Sequence, residues 1–63
     1  MCLSTVYKNN MTPESVVMKN VMRIECKDDM VIITDLMDRQ MAIQGRLAMA
    51  NLVDGVALIQ ENA

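Results

Sequence analysis

The amino-acid sequence predicts an all-β protein made of one small domain, residues 1–63. Turn-forming residues such as Asn9-Asn10, Asp28-Asp29 and Asp54-Gly55 divide the chain into pieces of about five to ten residues, which is the usual length of a strand. One of these pieces, Met22–Lys27, alternates strictly between apolar and polar residues, as a half-buried strand does. Together, these patterns favour several short strands.

The strands can be assigned in chain order. Leu3–Tyr7 and Glu14–Met18 are predicted as two strands on either side of a polar loop. Met22–Lys27 and the β-branched run Met30–Thr34, which suits a strand buried on both faces, flank Asp28-Asp29 and therefore predict a hairpin.

The C-terminal third contains one clear turn and one ambiguous segment. Asp54-Gly55 is typical of a tight hairpin turn, so Val56–Ile59 is predicted as the returning strand. Met41–Leu52 is rich in Ala, Met and Leu, which are good helix formers. Because Gly45 and Gly55 would limit a helix to about two and a half turns, strand and helix both stay open here.

The size and composition of the chain predict a partner subunit. A domain of 63 residues buries little surface, yet 52% of its residues are hydrophobic, so a second copy is expected to cover part of that surface. No apolar signal segment precedes Lys8, no apolar run is long enough to span a bilayer, and two cysteines offer little scope for disulfides. We therefore expect a cytoplasmic protein without membrane partners.

Several functions are disfavoured by composition. A net charge of −2 and a single aromatic residue, Tyr7, argue against a nucleic-acid partner. The chain has no histidine and only two glycines, so a neutral general base and a phosphate-binding loop are both missing. Asp35 and Asp38 are interpreted as solvated acids near a turn. The protein is therefore not expected to be an enzyme.

The methionines and Cys26 carry sulfur atoms that could bind a metal, but they are interpreted as structural residues. The eight methionines form no tight cluster, although Met18/Met22 and Met37/Met41 are close in sequence, and most are expected to fill a small, irregular core. Cys26 falls on the same strand face as Met22, so it is expected to be a buried thiol.

Cys2 is a candidate metal ligand because it lies beside the amino terminus. Its thiolate can act with the Met1 amine and the Cys2 amide nitrogen or, if Met1 is removed, with its own amine and the Leu3 amide. Such a mixed nitrogen and sulfur set favours a square-planar site for nickel(II) or copper(II). A symmetric dimer that brings its two amino termini together would complete the square with two nitrogen and sulfur pairs, one from each chain. The alternative is that Cys2 is an incidental residue of a frayed terminus.

Four segments of the chain form a recognisable combination: Met1–Tyr7, Val17–Glu25, Leu36–Leu47 and Asn51–Gly55. Together they resemble the CooT family of small nickel-binding proteins linked to carbon monoxide dehydrogenase maturation. The resemblance implies a homodimeric SH3-like β-barrel that holds Ni(II) at the dimer axis through its amino-terminal cysteines, a role that falls here on Cys2 with Met1. It also implies a nickel metalloenzyme or its maturation factors as partners, and it favours a strand over Arg46–Leu52. The alternative function is an SH3/Sm-like RNA-binding or protein-interaction module that binds no metal.

Overall fold

The computed structural model describes residues 3–63 and confirms the predicted all-β class. Its five strands are β1 (Ser4–Lys8), β2 (Val16–Lys27), β3 (Met30–Asp35), β4 (Gln40–Asn51) and β5 (Val56–Glu61). The described helical content is one 3-10 turn at Pro13–Ser15, which leads into β2. Within residues 3–63, no helix is long and apolar enough to cross a membrane.

The five strands form a closed barrel. Each strand pairs antiparallel with the next one along the chain, and β5 then pairs in parallel with β1 to close the sheet. The two twelve-residue strands make this closure possible because each serves two neighbours in turn. The first half of β2 pairs with β1 and the second half with β3, while β4 pairs first with β3 and then with β5.

The barrel interior is filled mainly by β-branched side chains. The buried hydrophobic residues of the described chain are Val6, Val21, Val31, Ile33, Ile43, Ala57 and Ile59. No methionine is among them, so the expectation that most methionines fill the core is wrong. Met18 packs against the core from its margin, whereas Met37 is 73% exposed. A barrel this small is filled by compact residues and leaves the longer unbranched ones at its surface.

The β2–β3 hairpin is confirmed, but β2 begins earlier than predicted and carries an irregularity. The two strands predicted on either side of residue 20 are one continuous strand from Val16, and Glu14 belongs to the 3-10 turn. The register shifts between Val21 and Arg23, so Val21 enters the core and Met22 remains 47% exposed. A β-bulge of this kind adds one residue to the strand, so apolar and polar residues no longer alternate between its two faces as the sequence prediction assumed.

The ambiguous segment is a strand. Residues 40–51 form β4, and the helical alternative is therefore wrong. The burial pattern alternates around Gly45: Ile43 and Gly45 are buried, whereas Gln44 and Arg46 are exposed. Pairing with β3 and β5 on its two halves outweighs the helix preference of Ala, Met and Leu, because tertiary contacts decide the conformation of a short segment.

Candidate metal site at the amino terminus

The predicted ligands Met1 and Cys2 lie outside the described residues, so their assignment stays a prediction. The structure does describe where the chain joins the barrel. Ser4 pairs with Val21 of β2, and Thr5 pairs with Val56 of β5. The Thr5 N–H donates to the Gly55 carbonyl oxygen at 2.9 Å, which fixes the beginning of β1 against the β4–β5 loop.

The β4–β5 loop, residues 52–55, forms the barrel rim beside this point. The predicted hairpin is confirmed, but four residues connect its strands instead of a tight Asp-Gly turn. Gly55 has a φ of +69°, the left-handed region that glycine adopts most easily, whereas Asp54 does not have a positive φ. The Gly55 N–H donates to the Asn51 carbonyl oxygen at 2.9 Å and thereby ends the loop.

Hydrogen bonds from one side chain hold the rest of this loop. The Asn51 Oδ1 accepts from the Asp54 N–H at 3.1 Å, and the Asn51 Nδ2 donates to the Asp54 carboxylate at 3.0 Å. At the apex, Leu52 is 77% exposed and Val53 is 96% exposed. The loop therefore presents two apolar side chains to solvent from a hydrogen-bonded backbone.

The prediction that Cys26 is buried is wrong. The thiol is exposed, although Cys26 pairs with the buried Val31 and so belongs to the inward-facing register of β2. Its position next to the Asp28-Asp29 turn explains the difference, because side chains at the barrel rim lack a covering layer. Cys26 also lies away from the beginning of β1. Val21, which pairs with Ser4, is five residues before Cys26 on β2, a separation of about 17 Å along the strand at the usual rise.

No three His, Cys, Asp or Glu residues come together as a metal-binding group within residues 3–63. The methionine pairs also offer no enclosed site, because Met22, Met37 and Met41 are all exposed.

Asp35 has a role that the sequence analysis missed. Its side chain is buried, not solvated, and accepts hydrogen bonds from the Met37 N–H at 2.9 Å, the Arg39 N–H at 2.9 Å and the Arg39 Nε at 2.8 Å. The Arg39 N–H is the main cause that lowers the pKa of Asp35. The Arg39 side chain and the Met37 N–H act in the same direction, and burial opposes them. The exposed Asp38 has a φ of +66°. Asparagine and aspartate tolerate this conformation in turns, so the aspartate at position 38 was the feature of the sequence that could have indicated this loop.

A shallow groove of about 410 Å³ lies between this loop and β2. Lys19, Asn20 and Gln40 line it together with the Asp35–Arg39 pair, and Val17, Met18 and Met41 provide its apolar surface. The Gln40 Nε2 donates to the buried Thr34 hydroxyl at 3.3 Å. Asp35 thus serves to hold the β3–β4 loop in shape, and nothing in this arrangement supplies an acid and base pair.

These features define a small closed barrel whose first strand begins at the rim beside a hydrogen-bonded apolar loop. Residues 1–60 match the family model described as CO dehydrogenase accessory protein CooT, and the chain belongs to this family. The fold is similar to the crystal structure of a protein designated CooT from Carboxydothermus hydrogenoformans. The TM-score is 0.83 at 14% identity, over 98% of this chain and 100% of the other. A search of curated proteins finds no match.

Proposed function

We propose that this protein is a nickel(II)-binding accessory factor for the maturation of carbon monoxide dehydrogenase. The observation that carries the proposal is the family match over residues 1–60, which includes the Met1-Cys2 start. Nickel is the cargo, the Cys2 thiolate is its sulfur ligand, and each protomer supplies one nitrogen donor, either the amino-terminal amine, of Met1 or of a processed Cys2, or the adjacent backbone amide. We further propose an SH3-like homodimer that works in the cytoplasm.

The place where β1 begins supports this proposal. The chain enters the barrel at its rim, next to the exposed Leu52 and Val53, so a second copy could approach without entering the core. Two amino termini that meet at a two-fold axis would offer two sulfur and two nitrogen donors, which suits a square-planar d⁸ ion. The site would then be complete only in the dimer.

The donor chemistry sets the pH dependence of binding. Thiolate is the ligand form of cysteine, so nickel uptake releases protons and weakens as the pH falls. Copper(II) should bind at least as tightly in vitro, because the intrinsic affinity order of divalent ions favours it over nickel. Selection of nickel would then depend on metal supply and on docking to the recipient enzyme.

Calorimetric titration with Ni²⁺ tests the proposal directly. The exposed Cys26 is a competing thiol, so the reference protein is Cys26→Ser and the test protein is Cys2→Ser/Cys26→Ser. We expect one nickel per dimer in the reference protein, with sulfur-to-nickel charge-transfer absorption and a diamagnetic spectrum. The double variant should remain folded and lose this site.

Nickel binding retained without Cys2 would contradict the proposal. So would loss of binding in Cys26→Ser alone, because the exposed thiol would then be the ligand. Either result would favour the interaction-module alternative, which the two exposed apolar loops, Leu36-Met37 and Leu52-Val53, would serve equally well.

A further inference from the structure

The groove between β2 and the β3–β4 loop carries two cationic side chains, although the protein has a net charge of −2. Lys19 and Arg39 line it, and Asp35 is the one acid among its described lining residues. We infer that this groove binds an extended acidic segment of a partner protein through carboxylate contacts with Lys19 and Arg39. The inference rests on the proposed function for the identity of that partner, the protein that receives the nickel, whereas the chemistry of the groove does not depend on the metal.

The Arg39 guanidinium is held at one edge and open at the other. Its Nε donates to the Asp35 Oδ2 at 2.8 Å, yet its side chain is 75% exposed and its terminal nitrogens make no hydrogen bond to residues 3–63. The buried Asp35 carboxylate also accepts the Met37 and Arg39 N–H groups, so the loop backbone fixes its position. A guanidinium anchored in this way presents its remaining N–H donors in a planar fork, which matches a second carboxylate.

Lys19 adds a second positive charge to the groove. Lys8 and Arg23 each form an ion pair with a glutamate, whereas Lys19 forms none with the residues that the structure describes. Asp38, the exposed acid of the β3–β4 loop, is not a lining residue. Two cations and one acid leave the groove with a net positive charge on an acidic protein, and this difference in sign favours an anionic partner.

The backbone beside these cations favours an extended peptide as the occupant. β3 ends at Asp35, which pairs with Val21, so residues 16–19 of β2 extend past the end of β3 and, among the described residues, pair with β1 alone. Such a strand edge presents backbone N–H and C=O groups that an extended segment can join. Val17 and Met18 pack against the core and line the same groove, so a peptide also meets apolar surface there.

The groove lies close to the beginning of β1. Val21 pairs with Ser4 on one side and with Asp35 on the other. Since neighbouring strands are about 4.8 Å apart, Ser4 and Asp35 are separated by about 10 Å across β2. A segment bound in the groove would therefore hold its protein near the part of the chain that leads to the proposed ligand Cys2.

A nuclear magnetic resonance titration of the ¹⁵N-labelled protein tests the inference. The probe is a synthetic peptide with blocked ends, Ser-Leu-Glu-Glu-Leu-Ser, and the matched peptide has glutamine in place of both glutamates. We expect the acidic peptide to shift the amide signals of residues 17–20 and 39–41 with a dissociation constant of about 0.1–1 mM. Binding should weaken with added salt, and the glutamine peptide should bind at least about tenfold more weakly.

Three variants locate the contact. Arg39→Gln should raise the dissociation constant at least about tenfold, and Lys19→Gln at least about threefold. The matched control is Lys27→Gln, which removes an exposed lysine at the other end of β2 and should change the constant less than about twofold. Asp35 keeps two backbone N–H donors in Arg39→Gln, and Lys19 is exposed, so circular dichroism should show folded proteins. If Arg39→Gln nevertheless fails to fold, the comparison of Lys19→Gln with Lys27→Gln decides.

Three results would overturn the inference. The first is no shift of the groove signals at about 5 mM acidic peptide, well above the expected dissociation constant. The second is equal binding of the glutamine peptide, which would mean that carboxylates are not recognised. The third is an equal loss in Lys27→Gln and Lys19→Gln, which would indicate a general attraction between charges and no site in the groove.

The nickel measurements separate this inference from the proposed function. The Cys26→Ser reference protein and Cys2→Ser/Cys26→Ser should bind the acidic peptide equally. If the reference protein binds nickel through Cys2 but does not bind the peptide, the groove is not the docking surface and the proposed function stands. If the peptide binds in the groove but nickel does not bind through Cys2, the groove stands as an interaction surface and the proposed function fails.

Discussion

Replacement of Gly45 by alanine should weaken the barrel where β4 pairs with the end of β5. Gly45 is buried and pairs with Glu61, and its φ is not in the positive range, so its backbone conformation would accept alanine. A Cβ atom at this position would overlap the Gln60 carbonyl oxygen and lie 2.9 Å from the Glu61 Cα. Both obstacles are backbone atoms, which cannot turn aside as a flexible side chain can, so β5 itself must shift.

The expected loss follows from the cost of overpacking. Inserting a methyl group into a packed interior costs about 1–3 kcal/mol, and the entropic gain of replacing glycine offsets only about 0.4–1 kcal/mol. A domain of this length has a total stability of about 3–9 kcal/mol. At the middle of these two ranges the net loss is about 1–2 kcal/mol. Since about 1 kcal/mol lowers the melting temperature of a small domain by about 4–8 °C, we expect a decrease of about 4–16 °C.

Thermal and urea unfolding, followed by circular dichroism at one fixed protein concentration, would measure this loss. The matched control is Gln44→Ala, an exposed neighbour on the same strand, which should change stability by less than about 0.5 kcal/mol. A Gly45→Ala variant as stable as the wild type would refute the reasoning, because β5 would then have room that the structure does not show.

Two further predictions concern Asp35 and Cys26. Because its pKa is lowered in the folded protein, Asp35 should contribute stability that is present above its ordinary pKa of 3.8 and disappears as the pH falls through the lowered value. Asp35→Asn should therefore be less stable at pH 7 and show a smaller loss of stability on acidification; an acid-unfolding profile identical to that of the wild type would contradict this role. The exposed Cys26 thiol should react with a water-soluble disulfide reagent in the folded protein at a rate close to that of the urea-unfolded chain. Strong protection that disappears only on unfolding would show that it is buried after all.

The local pattern of the sequence predicted which segments are strands more successfully than it predicted what they bury. The alternation over Met22–Lys27 gave the hairpin, and Cys26 indeed pairs with a core residue across it. The same alternation misplaced Met22, because a bulge inserts one residue that no period of two can represent. Burial of Cys26 depends on how far the barrel extends beyond the hairpin, which is a property of the assembled sheet.

The ambiguous β4 shows the limit of propensity. Its residues favour a helix locally, and its strand conformation comes from pairing with β3 and β5. Even the nearest pair in sequence, Thr34 of β3 and Gln40 of β4, is separated by six positions. The burial of Asp35 could not be predicted from the sequence either, since an acid near a turn is usually solvated. Asp38 adopts the left-handed backbone conformation, and at this position the loop turns back and brings the Arg39 N–H to the Asp35 carboxylate.

The position of the proposed ligand relative to the barrel has a consequence for metal exchange. Among the described residues, the barrel is closed by pairing of β1 with β5 from Thr5 to Lys8, beyond the proposed ligand Cys2 in sequence. In a structural zinc site, metal binding supplies folding free energy, and the apoprotein unfolds. If nickel binds through Cys2 as proposed, its removal with a chelator should leave the thermal unfolding of each barrel almost unchanged and affect mainly the dimer equilibrium. A barrel that unfolds when nickel is removed would show that the metal is structural. A barrel that remains folded could release its cargo to another protein without losing its own structure.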